Sequence, residues 1–356
     1  MKGLILSGGK GTRLRPLTFT RAKQLIPIAN KPTLFYVVED LIEAGIEDIG
    51  VIVSPETGDE IQQALGNGSR WGVEFTFILQ SEPKGLAHAV QTARKYLAED
   101  PFVMYLGDNL LDGGIKHLVE EYQRGQADSI VLLTPVENPS QFGVADVDEK
   151  GQIRRLVEKP ADPPSDLALV GVYLFNPLVH DVIASLKPSA RGEYEITDAI
   201  QGLVDAKRCV LAHHVRGWWK DTGKPEDLLA ANRLVLSRIQ RKIEGECGDS
   251  RIDGEIVIET GARVTDSQVR GPAHIAAGAT IEKAYVGPYT SIGPGARVDN
   301  SEIEHSIVLA EAQISNITRR LDNCVIGQGV CVKGHTEGPG GNVVQLVLGD
   351  YSQVKL

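Results

Sequence analysis

Apolar and polar residues follow two different patterns along the 356-residue chain. In the first half, short apolar runs rich in Val and Ile alternate with stretches whose apolar residues recur every three or four positions, as in amphipathic helices. The predicted strands are Gly3–Leu6, Asp48–Val53, Phe75–Leu79, Phe102–Leu106 and Ser129–Pro135. The predicted helices are Leu34–Ala44, Gly58–Gly66, Gly85–Tyr96 and Gly113–Arg124. This alternation predicts an α/β fold with a mostly parallel sheet that helices cover on both faces.

After about residue 250, nine aliphatic residues recur at steps of five or six, so that each third one lies 17 residues further along. They are Ile258, Val264, Val269, Ile275, Ile281, Val286, Ile292, Val298 and Ile303. No α-helix has this period, which is typical of a three-sided solenoid with three short strands per coil. The spacing resembles the hexapeptide repeat of left-handed parallel β-helices with one residue removed per coil. We expect about four coils and a decay of the repeat beyond Ile314, with Ile326 and Val332 as candidates for a last coil.

The two patterns meet in Pro225–Glu246, where the spacing of Leu and Ile predicts a helix that ends near Gly245. The domain boundary is therefore placed there, with an α/β domain at residues 1–245 and a β-helix domain at residues 246–356. The glycine-rich stretch Glu337–Asn342 is expected to be a loop before a strand at Val343–Leu348.

Composition is that of an ordinary globular protein, with 42% hydrophobic and 24% charged residues. The net charge of −10 argues against broad binding of nucleic acid, so affinity for phosphate must come from a few focused residues. The sequence has neither a leader pattern nor an apolar run of membrane-spanning length, and we expect a cytoplasmic protein without membrane contact. Its cysteines lack CxxC spacing and are expected to be incidental thiols: Cys209, Cys247, Cys324 and Cys331.

The first candidate site is the basic, glycine-rich turn after the strand Gly3–Leu6. Ligands of parallel sheets lie at the carboxyl ends of the strands, where backbone N–H groups can face phosphate. Gly8, Gly9 and Gly11 permit close approach of the backbone to a polyphosphate, and Arg13 offers a planar fork for phosphate oxygens.

Lys23 follows ten residues after Arg13 and precedes a second motif. The joint pattern, GGKGTRLRPLT from Gly8 and AKQLIPIANKP from Ala22, closely resembles the signature of sugar-1-phosphate nucleotidyltransferases. The resemblance implies a Rossmann-like nucleotidyltransferase domain followed by a left-handed parallel β-helix domain. It also implies that Arg13 and Lys23 are catalytic, holding the triphosphate and stabilising the leaving pyrophosphate, and that Thr12 joins the glycines in nucleotide binding.

A second cluster, Gln80–Ala89, joins the end of a predicted strand to the start of a helix. A side-chain amide carries a donor and an acceptor, which suits the paired N–H and C=O groups of a pyrimidine. In the resembled family these motifs hold the base, which assigns Gln24, Gln80 and Gly85 to nucleotide recognition.

The flanking residues of two aspartates resemble motifs of the same family. Asp108 follows a predicted strand, and Asp221 lies within WWKDTGKP. Mg²⁺ takes one or two carboxylates together with water and phosphate oxygens. Taken alone, each aspartate would more often cap a helix or form a turn. The resemblance implies that both bind the Mg²⁺ that bridges nucleotide and sugar phosphate.

The resemblance also implies a sugar-phosphate pocket formed by Gly143, Glu158, Lys159 and Val170 and closed by the segment Arg191–Asp198. A carboxylate can bind sugar hydroxyls while the neighbouring ammonium meets the phosphate, although such a pair can also be a solvated ion pair. Phe142 stands where bacterial relatives often have tyrosine, which leaves one hydroxyl contact to the sugar in doubt.

Within the family, the chain is most similar to the long members that make dTDP-glucose and pyrophosphate from dTTP and glucose 1-phosphate. The implied reaction is a Mg²⁺-assisted, in-line attack of the sugar phosphate on the α-phosphorus. Use of UTP stays open, because thymine differs from uracil by one methyl group, worth about 1–3 kcal/mol in a pocket.

Two further alternatives belong to other functional classes. Hexapeptide β-helices often form acyltransferases, and His274 and His305 lie within the repeat, so the chain could be a bifunctional nucleotidyl- and acetyltransferase. A non-catalytic regulatory homologue is the other alternative, and the presence of Arg13 and Lys23 argues against it. The flat faces and open edges of stacked coils favour subunit contacts, so we expect a homo-oligomer.

Overall fold

The computed structural model describes residues 1–125, 127–334 and 343–355. Contacts between residues divide the chain into two compact units. Unit 1 comprises Met1–Gly9 and Leu34–Asp221, and unit 2 comprises Lys10–Thr33 and Thr222–Leu356. Lys10–Thr33, here called the signature segment, therefore belongs with the C-terminal part of the chain.

Nine strands from the described part of unit 1 form one mixed sheet. Seven of them lie in the order Ile153–Glu158, Gly143–Val147, Leu167–Phe175, Phe102–Leu106, Lys2–Leu6, Asp48–Val53 and Glu74–Leu79. The remaining two, Ser129–Pro135 and Val210–His214, pair in parallel, and the former also pairs antiparallel with Leu167–Phe175. Pairing is parallel from Phe102–Leu106 to Glu74–Leu79 and antiparallel from Leu167–Phe175 to Ile153–Glu158.

Helices of this part of the chain confirm the predicted alternation. They are Thr33–Glu43, Gly58–Leu65, Leu86–Thr92, Arg94–Leu97, Lys116–Gln123, Val179–Ser185 and Ile196–Asp205, with a 3₁₀ turn at Pro139–Gln141. The stretch predicted as one helix at Gly85–Tyr96 is two, because the backbone at Ala93 (φ −81°, ψ −1°) departs from regular helical geometry. Fully buried side chains such as Leu4, Phe102 and Met104 form the core against the sheet.

The parallel part of the sheet gathers three predicted site residues at one edge. Lys2–Leu6, Glu74–Leu79 and Phe102–Leu106 run in the same direction, so their carboxyl ends share that edge. Gly8, Gln80 and Asp108 follow these ends within two residues.

Unit 2 contains a left-handed β-helix whose described strands form three parallel sheets of seven, seven and six strands. The first sheet contains Lys242–Ile243, Ile256–Ile258, Ala273–Ile275, Thr290–Ile292, Ile307–Val308, Val325–Ile326 and Val347–Leu348. The second contains Glu246–Gly248, Arg263–Thr265, Thr280–Glu282, Arg297–Asp299, Gln313–Ser315, Cys331–Lys333 and Gln353–Lys355. The third contains Arg251–Asp253, Gln268–Arg270, Tyr285–Val286, Glu302–Glu304, Arg320–Asp322 and Val343–Val344.

The nine aliphatic residues of the predicted repeat pair in the predicted register. Ile258 pairs with Ile275 and Ile275 with Ile292, and the other two series align in the same way. Every one of the nine is fully buried. A core that each coil extends by stacking on its neighbour explains why the spacing is so regular.

Three expectations for this part need correction. The β-helix has more than four coils, since the repeat continues past Ile314 with altered spacing. The connecting helix is Pro225–Leu236 and ends well before Gly245, because Lys242–Ile243 already pairs with the next coil. The strand predicted at Val343–Leu348 is two short strands in different sheets, while the predicted loop Glu337–Asn342 lies outside the described residues.

The signature segment has 3₁₀ turns at Thr12–Leu14, Leu17–Phe19 and Lys23–Leu25. Two short strands, Pro27–Ile28 and Lys31–Pro32, then form a small hairpin. In unit 1, another two-stranded ladder joins Asn109–Leu111 to Trp219–Asp221. None of the helices in the described ranges is both long and apolar enough to cross a bilayer.

Candidate active site

The edge of the sheet in unit 1 brings Gly8 beside Gln80. A Cβ atom on Gly8 would lie 3.3 Å from Oε1 of Gln80 and 3.7 Å from Ile52, so this backbone stays open only without a side chain. Ser7, one residue earlier, is fully buried, and its Oγ has no hydrogen-bond partner among the described residues. Gly9 follows as an exposed residue. The turn therefore presents its backbone, while the unsatisfied hydroxyl of Ser7 lies buried beneath it.

Gln80 is 8% exposed and is oriented by His88. Its Nε2 lies 2.8 Å from Nδ1 of His88, and since an amide N–H can only donate, Nδ1 accepts. Burial first, and then the charge of Lys84, lowers the pKa of His88, which keeps the imidazole neutral for this role. The Gln80 amide is thus held in one orientation.

Gly85 has φ +105°, a value that favours glycine, and the space beside it also excludes a side chain. A Cβ atom there would lie 2.4 Å from the carbonyl oxygen of Tyr194, whose N–H donates to Lys84. The ring of Tyr194 also stacks on His88. The turn that carries Gln80 and Gly85 is therefore packed against the segment Arg191–Asp198.

Asp108 and Asp221 are brought together by the small ladder of unit 1. Asn109, the residue after Asp108, pairs directly with Asp221. Asp108 is 6% exposed and accepts a hydrogen bond from Nδ2 of Asn109 at 3.1 Å, while Trp219 Nε1 donates to Oδ1 of Asn109 at 2.7 Å. Asp108 immediately precedes one strand of the ladder and Asp221 ends the other, and two carboxylates so placed offer the hard oxygen donors that Mg²⁺ prefers.

The predicted sugar-phosphate residues form another cluster, in which Gly143 pairs with Glu158 across antiparallel strands. A Cβ atom on Gly143 would lie 2.6 Å from Thr197 and 3.0 Å from Oε2 of Glu158. Lys159 adopts φ +43°, a conformation rare for a lysine, and its N–H donates to the carbonyl of Phe142 at 2.9 Å. Backbone strain of this kind is typical of functional sites.

Glu158 is the centre of a charge network. It accepts from Nη1 of Arg191 at 3.1 Å and from Oγ1 of Thr197 at 3.4 Å, and the Nζ of Lys159 lies 3.6 Å away. Burial raises the pKa of Glu195, and burial together with the negative charge of Glu158 raises that of Asp198. Acidic side chains outnumber basic ones in this cluster, so they can accept hydrogen bonds from cationic or hydroxyl groups of a ligand.

Two contacts connect these clusters within unit 1. Val170 is fully buried, and a Cβ on the next residue, Gly171, would lie 2.8 Å from Oδ1 of Asn109. Phe142 meets the ring of Trp219 edge to face at 5.7 Å. The described residues of unit 1 thus bring Gly8, Gln80 and Gly85 together, and Asp108 with Asp221, and the sugar-phosphate set around Glu158.

The remaining predicted residues lie in the signature segment of unit 2. Gly11 has φ +63°, and a Cβ there would lie 3.0 Å from both Cβ of Lys23 and Cγ2 of Thr18. Thr12 and Arg13 are exposed in a 3₁₀ turn. The segment therefore places the backbone of Lys23 against the glycine turn.

Gln24 is the least expected finding of this segment. The residue is 1% exposed, and neither Nε2 nor Oε1 of its amide has a hydrogen-bond partner among the described residues. A buried amide without partners costs free energy comparable to a lost hydrogen bond at each atom. A ligand with complementary donors and acceptors would remove that cost.

Both histidines among the described residues of the β-helix, His274 and His305, are engaged in contacts. His274 lies 2.8 Å from Oε1 of Glu259 through Nε2, and His305 lies 2.9 Å from Oδ1 of Asp322 through Nδ1. Glu304, His305 and Asp322 bring possible metal ligands within 4.8 Å of one another. Arg320 pairs with Glu304 at 3.2 Å, so part of this group is already neutralised.

His88 and Trp219 act on predicted site residues but were not assigned from the sequence. His88 was inside the cluster Gln80–Ala89, yet nothing in its spacing tied it to the Gln80 amide. Trp219 lies two residues before Asp221, and the alternation of side chains along a strand could have indicated its position.

Comparison with known proteins agrees with this geometry. The nucleotidyl transferase family model matches residues 2–238. A glucose-1-phosphate thymidylyltransferase of Streptomyces griseus is 49% identical over 358 residues, covering 100% of this chain and 99% of the relative. The low-salt glycan biosynthesis nucleotidyltransferase Agl11 of Haloferax volcanii is 49% identical over 360 residues, covering 100% of both chains.

Among solved structures, a UDP-glucose pyrophosphorylase complexed with UDP-glucose is similar, with a TM-score of 0.61 and 30% identity. The match covers 67% of this chain and 98% of that one. Nucleotidyltransferase names at full length do not favour the acetyltransferase alternative. A family model that spans most of the sequence, and relatives that match it from end to end, show that the chain belongs to the nucleotidyl transferase family.

Proposed function

We propose that the chain transfers a thymidylyl group from dTTP to glucose 1-phosphate, which yields dTDP-glucose and pyrophosphate. The observation that carries this proposal is the 49% identity, over the whole chain, to a relative named glucose-1-phosphate thymidylyltransferase. It is supported by the Gln24 amide, which has no partner among the described residues, by the open backbone at Gly8 and by the placement of Asp108 beside the pair Asn109–Asp221.

In the proposed reaction, a phosphate oxygen of the sugar 1-phosphate attacks the α-phosphorus of dTTP. The bond from that phosphorus to the bridging oxygen breaks, and pyrophosphate leaves with the electron pair. A sugar phosphate is already ionised near neutral pH, so no general base is required. Because both reactants are anions, the protein's main task is to bring them together and to neutralise charge in the transition state.

Arg13 and Lys23 are assigned to the triphosphate and to the leaving pyrophosphate. The backbone of Gly8, Gly9 and Gly11, together with Thr12, would complete this grip. The positive φ of Gly11 and its packing against Lys23 support the assignment, since a side chain there would displace the lysine.

Gln24, Gln80 and Gly85 are assigned to the base. An amide matches the N–H and C=O edge of thymine, and the buried Gln24 amide has both atoms unsatisfied among the described residues. Glu158, Lys159, Gly143 and Val170 are assigned to the sugar phosphate, with the carboxylate of Glu158 accepting from sugar hydroxyls and Lys159 meeting the phosphate.

Sugar nucleotidyltransferases generally depend on a metal ion, and we propose Mg²⁺ for this chain. Asp108 and Asp221 fit it, because they offer two hard oxygen donors at or beside the paired residues of one ladder and Asn109 restrains the first of them. When bound, the ion would neutralise charge on the phosphoryl oxygens.

Three further features are proposed together with this function. Residues 1–245 would carry catalysis and residues 246–356 the β-helix domain. All four cysteines are free thiols in the described chain, which supports a reducing, cytoplasmic location. The first strand of the β-helix, Lys242–Ile243, is exposed. An exposed strand at the edge of a sheet supports assembly into a homo-oligomer.

The test is pyrophosphate release from dTTP, UTP, ATP, GTP and CTP, each combined with several sugar 1-phosphates. We expect the highest kcat/KM with dTTP and glucose 1-phosphate, with UTP lower by about 10- to 200-fold, the range that one methyl group supports. Asp108→Asn, purified in the same way, controls for contaminating activity. Faster turnover with UTP would replace the thymidylyl assignment, and no release with any pair would overturn the proposal.

A further inference from the structure

The signature segment carries several proposed ligand contacts but little structure of its own. Three short 3₁₀ turns and one two-residue strand pair account for its regular elements. So few internal hydrogen bonds cannot offset the conformational entropy lost when the chain is ordered. Contacts with the rest of unit 2 therefore contribute to the order of this segment.

The first set of contacts, here called the Asp350 anchor, joins the segment to a late coil of the β-helix. Oδ2 of Asp350 accepts from Nε of Arg21 at 3.1 Å, lies 3.0 Å from Nη2, and accepts from Oγ1 of Thr20 at 2.7 Å. Oδ1 accepts from the backbone N–H of Gln328 at 2.8 Å, and the side chain of Gln328 accepts from Arg21 at 2.6 Å. Both carboxylate oxygens are therefore satisfied.

This ion pair is removed from solvent, which distinguishes it from ordinary surface pairs. The side chain of Asp350 is 3% exposed and that of Arg21 is 14% exposed. Loss of one partner leaves a buried charge without compensation, whereas an exposed pair contributes little. The backbone is packed here too, since a Cβ on Gly349 would lie 3.0 Å from the carbonyl oxygen of Pro16.

A second set of contacts, the Asn30 anchor, holds the hairpin of the segment. Ala29 and Asn30 have φ of 46° and 62°, left-handed values that are uncommon for alanine. Nδ2 of Asn30 donates to the carbonyls of His274 at 3.2 Å and Ile292 at 3.1 Å. These carbonyls belong to neighbouring coils of the β-helix.

The backbone of Ala29 is fixed on both sides of this turn. Its N–H donates to Oδ1 of the fully buried Asn232 at 2.8 Å, and its carbonyl oxygen lies 3.1 Å from Nδ1 of His274. Asn232 in turn donates from Nδ2 to the carbonyl of Tyr289. Contacts with the connecting helix and the coils thus hold an otherwise unfavourable conformation.

The two anchors bracket Lys23 and Gln24 in the sequence. We propose that the β-helix positions these residues for nucleotide binding, with Arg21, Asn30 and Asp350 as positioning residues that do not touch the substrate. The inference rests on the proposed function for the roles of Lys23 and Gln24. It assigns the β-helix a part in catalysis in addition to any part in assembly.

Steady-state kinetics on the full chain test the Asp350 anchor through Arg21→Ala, Asp350→Ala and the double variant. We expect the KM for dTTP to rise about 10- to 100-fold, as a displacement of about 1 Å at a site can cause, while the KM for glucose 1-phosphate changes less than twofold. The double variant should be no worse than either single one, because both lose the same contact. Arg21→Lys should recover part of the loss, since it restores the charge but not the fork.

Asn30→Gly tests the second anchor, because glycine keeps the left-handed turn and loses only the amide contacts. Arg297→Ala is the matched control. Arg297 forms an exposed ion pair with Glu282 inside the β-helix, and its loss should leave both KM values unchanged.

Hydrogen exchange of the full-length variants gives a readout that needs no activity. Asp350→Ala should speed exchange in peptides that cover residues 16–28, and Arg297→Ala should not. An unchanged KM for dTTP with unchanged exchange in that segment would overturn the inference. So would a uniform rise in exchange over the whole chain, which would mean a general loss of stability. If the wild-type chain transfers no nucleotide, the proposed function fails while the exchange comparison still decides the anchoring.

Discussion

The mixed sheet of unit 1 and the β-helix of unit 2 are both built from parallel strands, but they pair them over very different sequence distances. Lys2–Leu6 pairs with Asp48–Val53 on one side and with Phe102–Leu106 on the other. In the β-helix, Val264 pairs with Ile281 and Ile281 with Val298, each one coil further on. A sheet of the first kind forms as a whole, whereas coils depend mainly on their nearest neighbours.

The difference extends to where chemistry can be placed. Except for Val170, which lies inside the strand Leu167–Phe175, the proposed site residues of unit 1 lie at or beside the end of a strand or in a turn, where the chain changes direction and side chains of distant segments meet. The coils repeat the same surroundings, and they contribute to the site by holding the signature segment. Three pairs of variants test how the two units differ.

The largest effect is expected from Asp108→Asn in unit 1. Loss of one carboxylate from the proposed metal site should lower kcat about 10³-fold, since charge stabilisation by a bound metal is worth several kcal/mol. The Tm should change little, because asparagine keeps the shape of the side chain. Pyrophosphate release and a thermal melt measure the two quantities.

The matched control is Asp253→Asn in the β-helix, where the carboxylate forms an exposed pair with Arg251. It should keep kcat within about twofold, as expected for an exposed pair. Equal losses in the two variants would remove the contrast between the units, and near-normal turnover of Asp108→Asn would remove Asp108 from the site.

The second effect concerns cooperativity, tested by Ile281→Ala and Ile130→Ala. Both isoleucines are fully buried, one in a coil and one in the mixed sheet. Each change should cost about 2–5 kcal/mol through lost contacts and a cavity. In hydrogen exchange, the loss of amide protection caused by Ile281→Ala should stay within the adjacent coils. The loss of protection caused by Ile130→Ala should spread through the sheet. The same spread from both would contradict a nearest-neighbour β-helix.

The smallest effect is a pH dependence confined to unit 1. His180 packs on the ring of Phe102 and is 7% exposed, and burial lowers its pKa to about 4. In the unfolded chain His180 takes up a proton as the pH falls through about 6.5, whereas in the folded chain it stays neutral until about pH 4. The contribution of His180 to the free energy of unfolding is therefore present above pH 6.5 and is lost as the pH falls towards 4. The loss should reach about 3 kcal/mol at pH 4.

Thermal melts between pH 7.5 and pH 4 measure this term as the difference between wild type and His180→Leu. The wild-type Tm should fall more steeply than that of the variant. His214→Leu, which changes an exposed histidine of the same unit, should follow the wild type. If the Tm values of wild type and His180→Leu fell in parallel as the pH is lowered, His180 would make no pH-dependent contribution to stability.

The regular parts of both units could be predicted from sequence because their causes are local. A period of 17 residues predicted the register of the β-helix from Ile258 to Ile303. The prediction failed further on, where Ile292 pairs with Val308 after 16 residues and Val308 pairs with Ile326 after 18. The left-handed corner residues Lys283 and Asn300 lie 17 residues apart and Asn316 follows after 16, so coils of both lengths use the same corner conformation and the change in length leaves no local signal.

The order of motifs and strands explains why Gly8, Gln80 and Asp108 lie at one edge of the sheet of unit 1, while their roles in a site stay predictions. The antiparallel strands that carry Gly143 and Glu158 were not predicted as part of the sheet, because β–α alternation ends before them. Contacts of Arg21 with Asp350 could not be predicted at all. No periodicity or motif connects two charges that pair over such a distance in sequence.

The distance between Arg21 and Asp350 also determines when the site can be completed. They lie 329 residues apart, and a ribosome adds about 5–20 residues per second, so the two are made roughly 15 to 65 seconds apart. During that interval the strand Lys2–Leu6 can pair with its neighbours in the sheet. The signature segment cannot yet contact Asp350, because the coil that carries this residue has not been synthesised. An unfinished chain therefore lacks the contacts that hold Lys23 and Gln24, which couples nucleotide binding to completion of synthesis.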